Sequence, residues 1–158
     1  MSMQTSITYG YGVDINVICV ELKAFLRFYE KHLPEDYKKM LEKAESEGFD
    51  IENLNEENEE FSDWLDGYVE AEDEYDISGC GSFYSVIAYI MRKETGVFID
   101  EVRSEYDWAI MHPETHPWYM NETEKNLTEE KLCEIFKKYF AELDVDVVPN
   151  YVRVESFG

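Results

Sequence analysis

Between residues 42 and 76 the chain carries sixteen acidic residues against one base, Lys43, and threads an apolar helical stripe through them. No other feature constrains the fold as much. Phe61, Trp64, Leu65, Tyr68 and Val69 stand at i, i+3, i+4, i+7 and i+8, the spacing that gathers side chains on one side of an α-helix. A window with a charge balance of −15 would stay disordered if it had no apolar surface to offset the entropy of ordering it. The stripe supplies that surface, so the spacing predicts a helix docked on a core. At about 100° per residue, Glu56, Glu59, Asp63, Asp66 and Glu70 lie opposite Phe61 and are expected to form an anionic ridge facing solvent.

That ridge has a cost. Like charges at i and i+4, Glu59 with Asp63 and Asp66 with Glu70, each destabilise a helix by roughly 0.2 to 0.5 kcal/mol, and no base stands nearby to relieve them. The acids advance by four, three and four residues, roughly 6, 4.5 and 6 Å along the axis, comparable with the spacing of phosphates along a nucleic-acid strand. The ridge is therefore read as an imitation of a phosphate backbone. The plainer alternative is a solvated face that keeps the protein soluble, with Glu56 to Glu60 serving a helix N-terminus. Beyond the ridge, Glu72, Asp73, Glu74 and Asp76 flank Tyr75, and acids beside an aromatic suit an Arg-rich partner through ion pairs and cation–π contacts. Tyr75 is counted with this binding surface, whereas Trp64 and Tyr68 are assigned to the core.

The whole chain is 158 residues with a net charge of −22, and 44% of it is hydrophobic. One domain over residues 1–158 is the expectation. Such a charge argues against direct contact with nucleic acid or an anionic membrane, because both need Lys and Arg facing a polyanion. No signal peptide or membrane helix is expected: the first twenty residues hold no Lys or Arg, and the longest mostly apolar run, Phe83 to Met91, is about half the 18 residues a span needs. Cys19, Cys80 and Cys133 are three, widely spaced and without a CxxC pair. Reduced thiols in the cytoplasm are the natural reading. Two Asn-x-Thr triplets, at Asn121 and Asn126, matter only in a secreted chain.

Elsewhere the order of elements reads as follows. Residues 3 to 9 predict a short strand broken by Gly10-Tyr11-Gly12. Ile18, Leu22, Phe25, Leu26, Tyr29 and Leu33 form a helical stripe that Pro34 ends, and Pro34 opens a second, shorter helix with Tyr37, Met40, Leu41 and Ala44, stopped by Gly48. Ser82 is a candidate N-cap for a central buried helix through Phe83, Val86, Ile87, Ile90 and Met91 with Gly96 as its stop, although the same run also fits a core strand. Residues 97–103 and 107–111 predict a hairpin and 112–125 a loop. Thr128 caps a last helix whose stripe is Leu132, Ile135, Phe136, Tyr139, Phe140 and Leu143, and residues 144–155 are extended. The fold class expected is α+β: four or five helices around a small, mainly antiparallel sheet made by the N-terminal, 97–111 and C-terminal segments.

Catalytic and cofactor motifs are sparse. Cys80 at the mouth of a helix, with His112 or His116 as base, resembles papain-like cysteine hydrolases in a Cys-Gly followed by an apolar helix, and a small cysteine hydrolase is the enzymatic alternative. The pair His112 and His116 has the i, i+4 spacing of a metal site, but Pro113 and Pro117 interrupt the helix such a site needs. Gly79-x-Gly81 lacks the rest of a phosphate-binding loop. No metal, cofactor or nucleotide is expected. In charge and size, though in no motif, the chain resembles the nucleic-acid mimics that phages and mobile elements use against restriction and CRISPR systems. That resemblance implies a non-enzymatic inhibitor whose partner is a basic, nucleic-acid-binding protein.

Overall fold

Pro34 separates the first two helices as the sequence predicts: α1 (Leu22–His32) stops short of it, and α2 (Pro34–Ser46) begins on the proline, where a missing N–H costs nothing. The computed structural model describes residues 5–54, 59–72, 75 and 82–157. Among these, α3 (Glu59–Ala71), α4 (Phe83–Thr95), α5 (Glu122–Lys125) and α6 (Glu129–Glu142) complete the helices. The strands are β1 (Thr5–Asp14), β2 (Asp100–Arg103), β3 (Trp108–Pro113) and β4 (Asn150–Phe157), and they form one antiparallel sheet in the order β2-β3-β1-β4. The class is α+β. None of the described helices is long and apolar enough to cross a membrane.

The run at 83–95 is a helix, and its ends explain why. Ser82 Oγ accepts from the Tyr84 N–H, Ser85 completes a capping box, and Gly96 takes a left-handed φ of +73° that stops the helix. From Tyr84 to Ala88, and again at Ile90 and Met91, every side chain is buried, so α4 is the central helix of the core. Around it pack Phe25, Phe28 and Tyr29 of α1, Phe61 and Leu65 of α3, and Phe136 and Phe140 of α6. The first and last helices also meet through polar groups: both ring nitrogens of His32 lie 2.7 Å from carboxylates, Glu94 on α4 and Glu142 on α6. Burial pushes the Glu142 carboxyl up, but hydrogen bonds from Lys31 and His32 outweigh it and hold the group below its ordinary value.

Two expectations fail in the sheet. Gly10-Tyr11-Gly12 does not break β1, which runs on to Asp14 with Gly10 opposite Pro113 and Gly12 opposite Met111. These glycines are there for the partner strand. A Cβ on Gly12 would overlap the Ile110 carbonyl oxygen and lie 2.6 Å from Met111 Cα, and one on Gly10 would lie 2.7 Å from the His112 oxygen. Close approach of two backbones is a use of glycine that turn-seeking rules miss. On the same face of the sheet Ala109, Met111 and Val154 form a second, small core with Val102 and Val152, because the sheet curls until β4 meets β2 and β3. The other failure is the loop expected at 112–125, where β3 extends to Pro113 and α5 forms from Glu122.

The free edge of β4 is blunted. The Glu155 N–H donates to Asp107 Oδ2 at 3.0 Å and the Tyr151 N–H to Asn150 Oδ1 at 2.8 Å. Side chains thus occupy donors that would otherwise invite another strand.

Candidate functional site

The acidic helix α3 docks on the core through Phe61, Leu65 and Val69, all fully buried. Trp64 and Tyr68, expected with them, are half-buried on the flank, where Trp64 stacks on both Phe61 and Tyr68 with ring centroids 5.7 and 5.4 Å apart. The two kinds of position should respond differently to truncation. Leu65→Ala is expected to cost about 2 to 5 kcal/mol and Trp64→Ala clearly less, read as shifts in the urea midpoint of unfolding. The reverse order would show that α3 is seated on its aromatic flank.

Of the predicted ridge, Glu59, Asp63 and Glu70 are exposed, as are Glu60 and Glu72 beside them. Asp66 departs from it. Its Oδ1 accepts the Phe83 N–H at 3.1 Å, so it serves the start of α4. The reason is angular: the buried stripe centres on Leu65, and the next residue is only about 100° away, whereas Glu59, Asp63 and Glu70 stand about 120 to 160° away. Burial pushes the Asp66 carboxyl up, partly offset by that backbone hydrogen bond. Tyr75 is a second correction. Far from presenting itself to a partner, it is 5% exposed, shares a hydrogen bond with Tyr29 OH at 2.9 Å and donates to Asp36 Oδ2 at 3.0 Å. Its flanking acids gave no hint of these partners, which come from α1 and α2. Glu56, Asp73, Glu74 and Asp76 lie outside the described residues.

Charge neutralisation is uneven over the molecule. Arg27 pairs with Asp144, Lys31 with Glu142, Lys125 with Glu122 and Arg153 with Glu155. Among the described residues, none of the carboxylates of α3 is in an ion pair. Four exposed acids on this helix, with Glu72 just beyond it, therefore project from a rigid, core-docked element without a counter-charge.

At the other end of α4, His112 lies in the wall of a cleft of about 560 Å³. Its Nδ1 donates to the Phe98 carbonyl at 2.7 Å, and Glu124 Oε2 is 3.6 Å from the same nitrogen. Glu124 is held in turn by the Phe98 and Asn121 N–H groups. Neither an apolar period nor a catalytic motif marks Glu124. The signal was present as Asn121-Glu122-Thr123-Glu124, an Asn-x-x-Glu capping box that closes here with both of its bonds. His116 sits away from the wall, stacked on the exposed Trp118 ring at 4.4 Å. Cys80 lies outside the described residues. Among the described residues, no three His, Cys, Asp or Glu side chains are placed to hold a metal.

One buried carboxylate belongs to neither place. Glu101 on β2 is 1% exposed and accepts from Ser82 Oγ at 2.8 Å and Ser85 Oγ at 3.2 Å, under the first turn of α4. Burial lifts its pKa to about 7, against the hydrogen bonds from Ser82 and Ser85 that favour the charged form.

Fold and surface together define a small α+β protein that carries an unneutralised acidic helix and a separate polar cleft. Comparison with protein-family models, with curated proteins and with solved structures returns no match.

Proposed function

We propose that this chain is a non-enzymatic acidic binding protein that occupies the basic groove of a nucleic-acid-binding partner, in the cytoplasm, and so keeps that partner from its target. The observation that carries this reading is the set of exposed, unpaired carboxylates Glu59, Glu60, Asp63 and Glu70 on a helix whose opposite side is fully buried. A solubility device needs no such order, since scattered charge on loops repels neighbours equally well. A binding surface does, because carboxylates fixed on a rigid element lose little entropy when they meet fixed Lys and Arg side chains. Inhibitors of restriction and CRISPR nucleases by phages are one setting in which such mimicry is useful. With Asp66 engaged at α4, the recognition set on this helix is Glu59, Glu60, Asp63 and Glu70, and their spacing is less regular than that of a phosphate strand.

The test uses the full chain as bait in an extract of its host, followed by competition. A captured protein is expected to bind duplex DNA or RNA, to be displaced by it, and to release steeply with salt because exposed charges are screened within about 8 Å at physiological ionic strength. Replacing Glu59, Asp63 and Glu70 together by Lys is expected to slow association roughly tenfold or more while leaving the melting curve in place. Partner affinity unchanged by that triple reversal, or capture only of proteins that bind no nucleic acid, overturns the proposal.

A further inference from the structure

We infer that the cleft beside His112 receives an arginine side chain, supplied by the basic partner of the proposed function, on which this inference rests. Its chemistry is that of a guanidinium receptor. Glu124, with only 6% of its side chain exposed, lies in the lining, and Glu114 adds a second, exposed carboxylate. His112 is anchored by its Nδ1–H on the Phe98 carbonyl, so Nε2 is the ring nitrogen left to a ligand. Phe98 and Tyr119, 41% and 72% exposed, add aromatic rings to the lining, against which a guanidinium can stack in plane as well as attract by its charge.

Arg92 also lines the cleft, but its charge is already engaged. Its NH1 donates to the Ile99 carbonyl at 2.7 Å, its guanidinium carbon lies 5.7 Å from the centre of the Tyr89 ring, and the Asp100 charge acts on it. Two carboxylates in the lining disfavour an anion, and the field of a chain with a net charge of −22 draws cations to any concave site. Five donors in a fixed plane suit acceptors that face a slot from several sides, which again selects arginine over lysine. The cleft lies beside Gly96, one length of α4 or roughly 20 Å from the Phe83 end that Asp66 of α3 touches, so it constitutes a contact separate from the ridge.

The experiment is a titration of the isotope-labelled full chain with N-acetyl-arginine amide, followed by backbone and indole NMR signals, with the citrulline amide and inorganic phosphate as comparisons. Citrulline has the same shape without the charge. Saturable shifts centred on residues 96–98 and 112–124, with a dissociation constant on the order of 1 mM and at least tenfold weaker binding of citrulline, are expected. Glu114→Gln and Tyr119→Ala, both at exposed positions, should weaken arginine binding severalfold without moving the melting curve, and Glu124→Gln should weaken it further if it remains folded. No saturable shift, equal binding of citrulline, or saturation by phosphate overturns the inference. So does a partner affinity that Tyr119→Ala and Glu114→Gln leave unchanged while the α3 reversal abolishes it, a result that spares the proposed function. An α3 reversal without effect on the partner overturns that function instead, whatever the arginine titration shows.

Discussion

Gly12→Ala is expected to be among the most damaging single substitutions in this chain, lowering stability by at least about 3 kcal/mol, the upper end for overpacking a well-packed site. The added methyl meets backbone: the Ile110 carbonyl oxygen and Met111 Cα, which cannot rotate away as a side chain would. Relief requires β1 and β3 to separate, and that breaks the register between Gly10–Asp14 and Ala109–Pro113 at the centre of the sheet. Against a total of about 5 to 15 kcal/mol for a domain, the variant should unfold at a much lower urea concentration or fail to fold at 37 °C. Gly67→Ala is the matched control with the opposite sign. Gly67 is an exposed position inside α3 with nothing within 4 Å of an added Cβ, so alanine there should stabilise by up to about 1 kcal/mol through helix propensity. Equal effects of the two substitutions would show that the close approach of β1 to β3 is not a feature of the folded protein.

The second large effect is a pH dependence set by Glu101. In the unfolded chain its pKa is the ordinary 4.5, and in the folded protein it is about 7. Between those values the native state binds more protons than the unfolded state, so folding stability falls as pH rises. The contribution is fully present below pH 4.5 and lost above about 7, and a shift of this size corresponds to something like 3 kcal/mol. Asp66, whose pKa is also raised, acts in the same direction and Glu142, whose pKa is lowered, in the opposite one, so the wild-type profile alone is a mixture. Glu101→Gln isolates the part due to Glu101. Glutamine keeps an acceptor for Ser82 Oγ and Ser85 Oγ but cannot ionise, and the variant is expected to be more stable than wild type at pH 8, with the gain vanishing by about pH 4.5. A difference in stability that stays constant across this range would place the titration elsewhere.

A buried acid under the first turn of α4 and a half-buried one accepting the Phe83 N–H put two carboxylates at the same helix terminus. Both lie where the dipole of α4 favours negative charge. They are the structural counterpart of the exposed acids of α3: similar side chains, but committed to holding two elements together and unavailable to a partner.

What the amino-acid sequence by itself determined here is local. Period and caps mark every helix but the single turn of α5: the stripes of α1, α3 and α6, Pro34 at the head of α2, Ser82 and Gly96 at the ends of α4, and Thr128 before α6 all act within a few residues of themselves. The excess of acid, and its concentration on a folded helix, are legible for the same reason. What only the tertiary structure decided depends on residues distant in the chain. Gly10 and Gly12 look like a break until β3, a hundred residues later, is laid against them. Asp66 looks like part of a ridge until the Phe83 N–H needs an acceptor, and Tyr75 looks exposed until Tyr29 and Asp36 close on its hydroxyl. Glu124 becomes a cleft residue only because the turn after Gly96 brings Phe98 and His112 to it. Periodicity reports which side of an element is apolar, but which polar groups at its margin are buried depends on the neighbours that fold onto it, and those are set by packing across the whole chain.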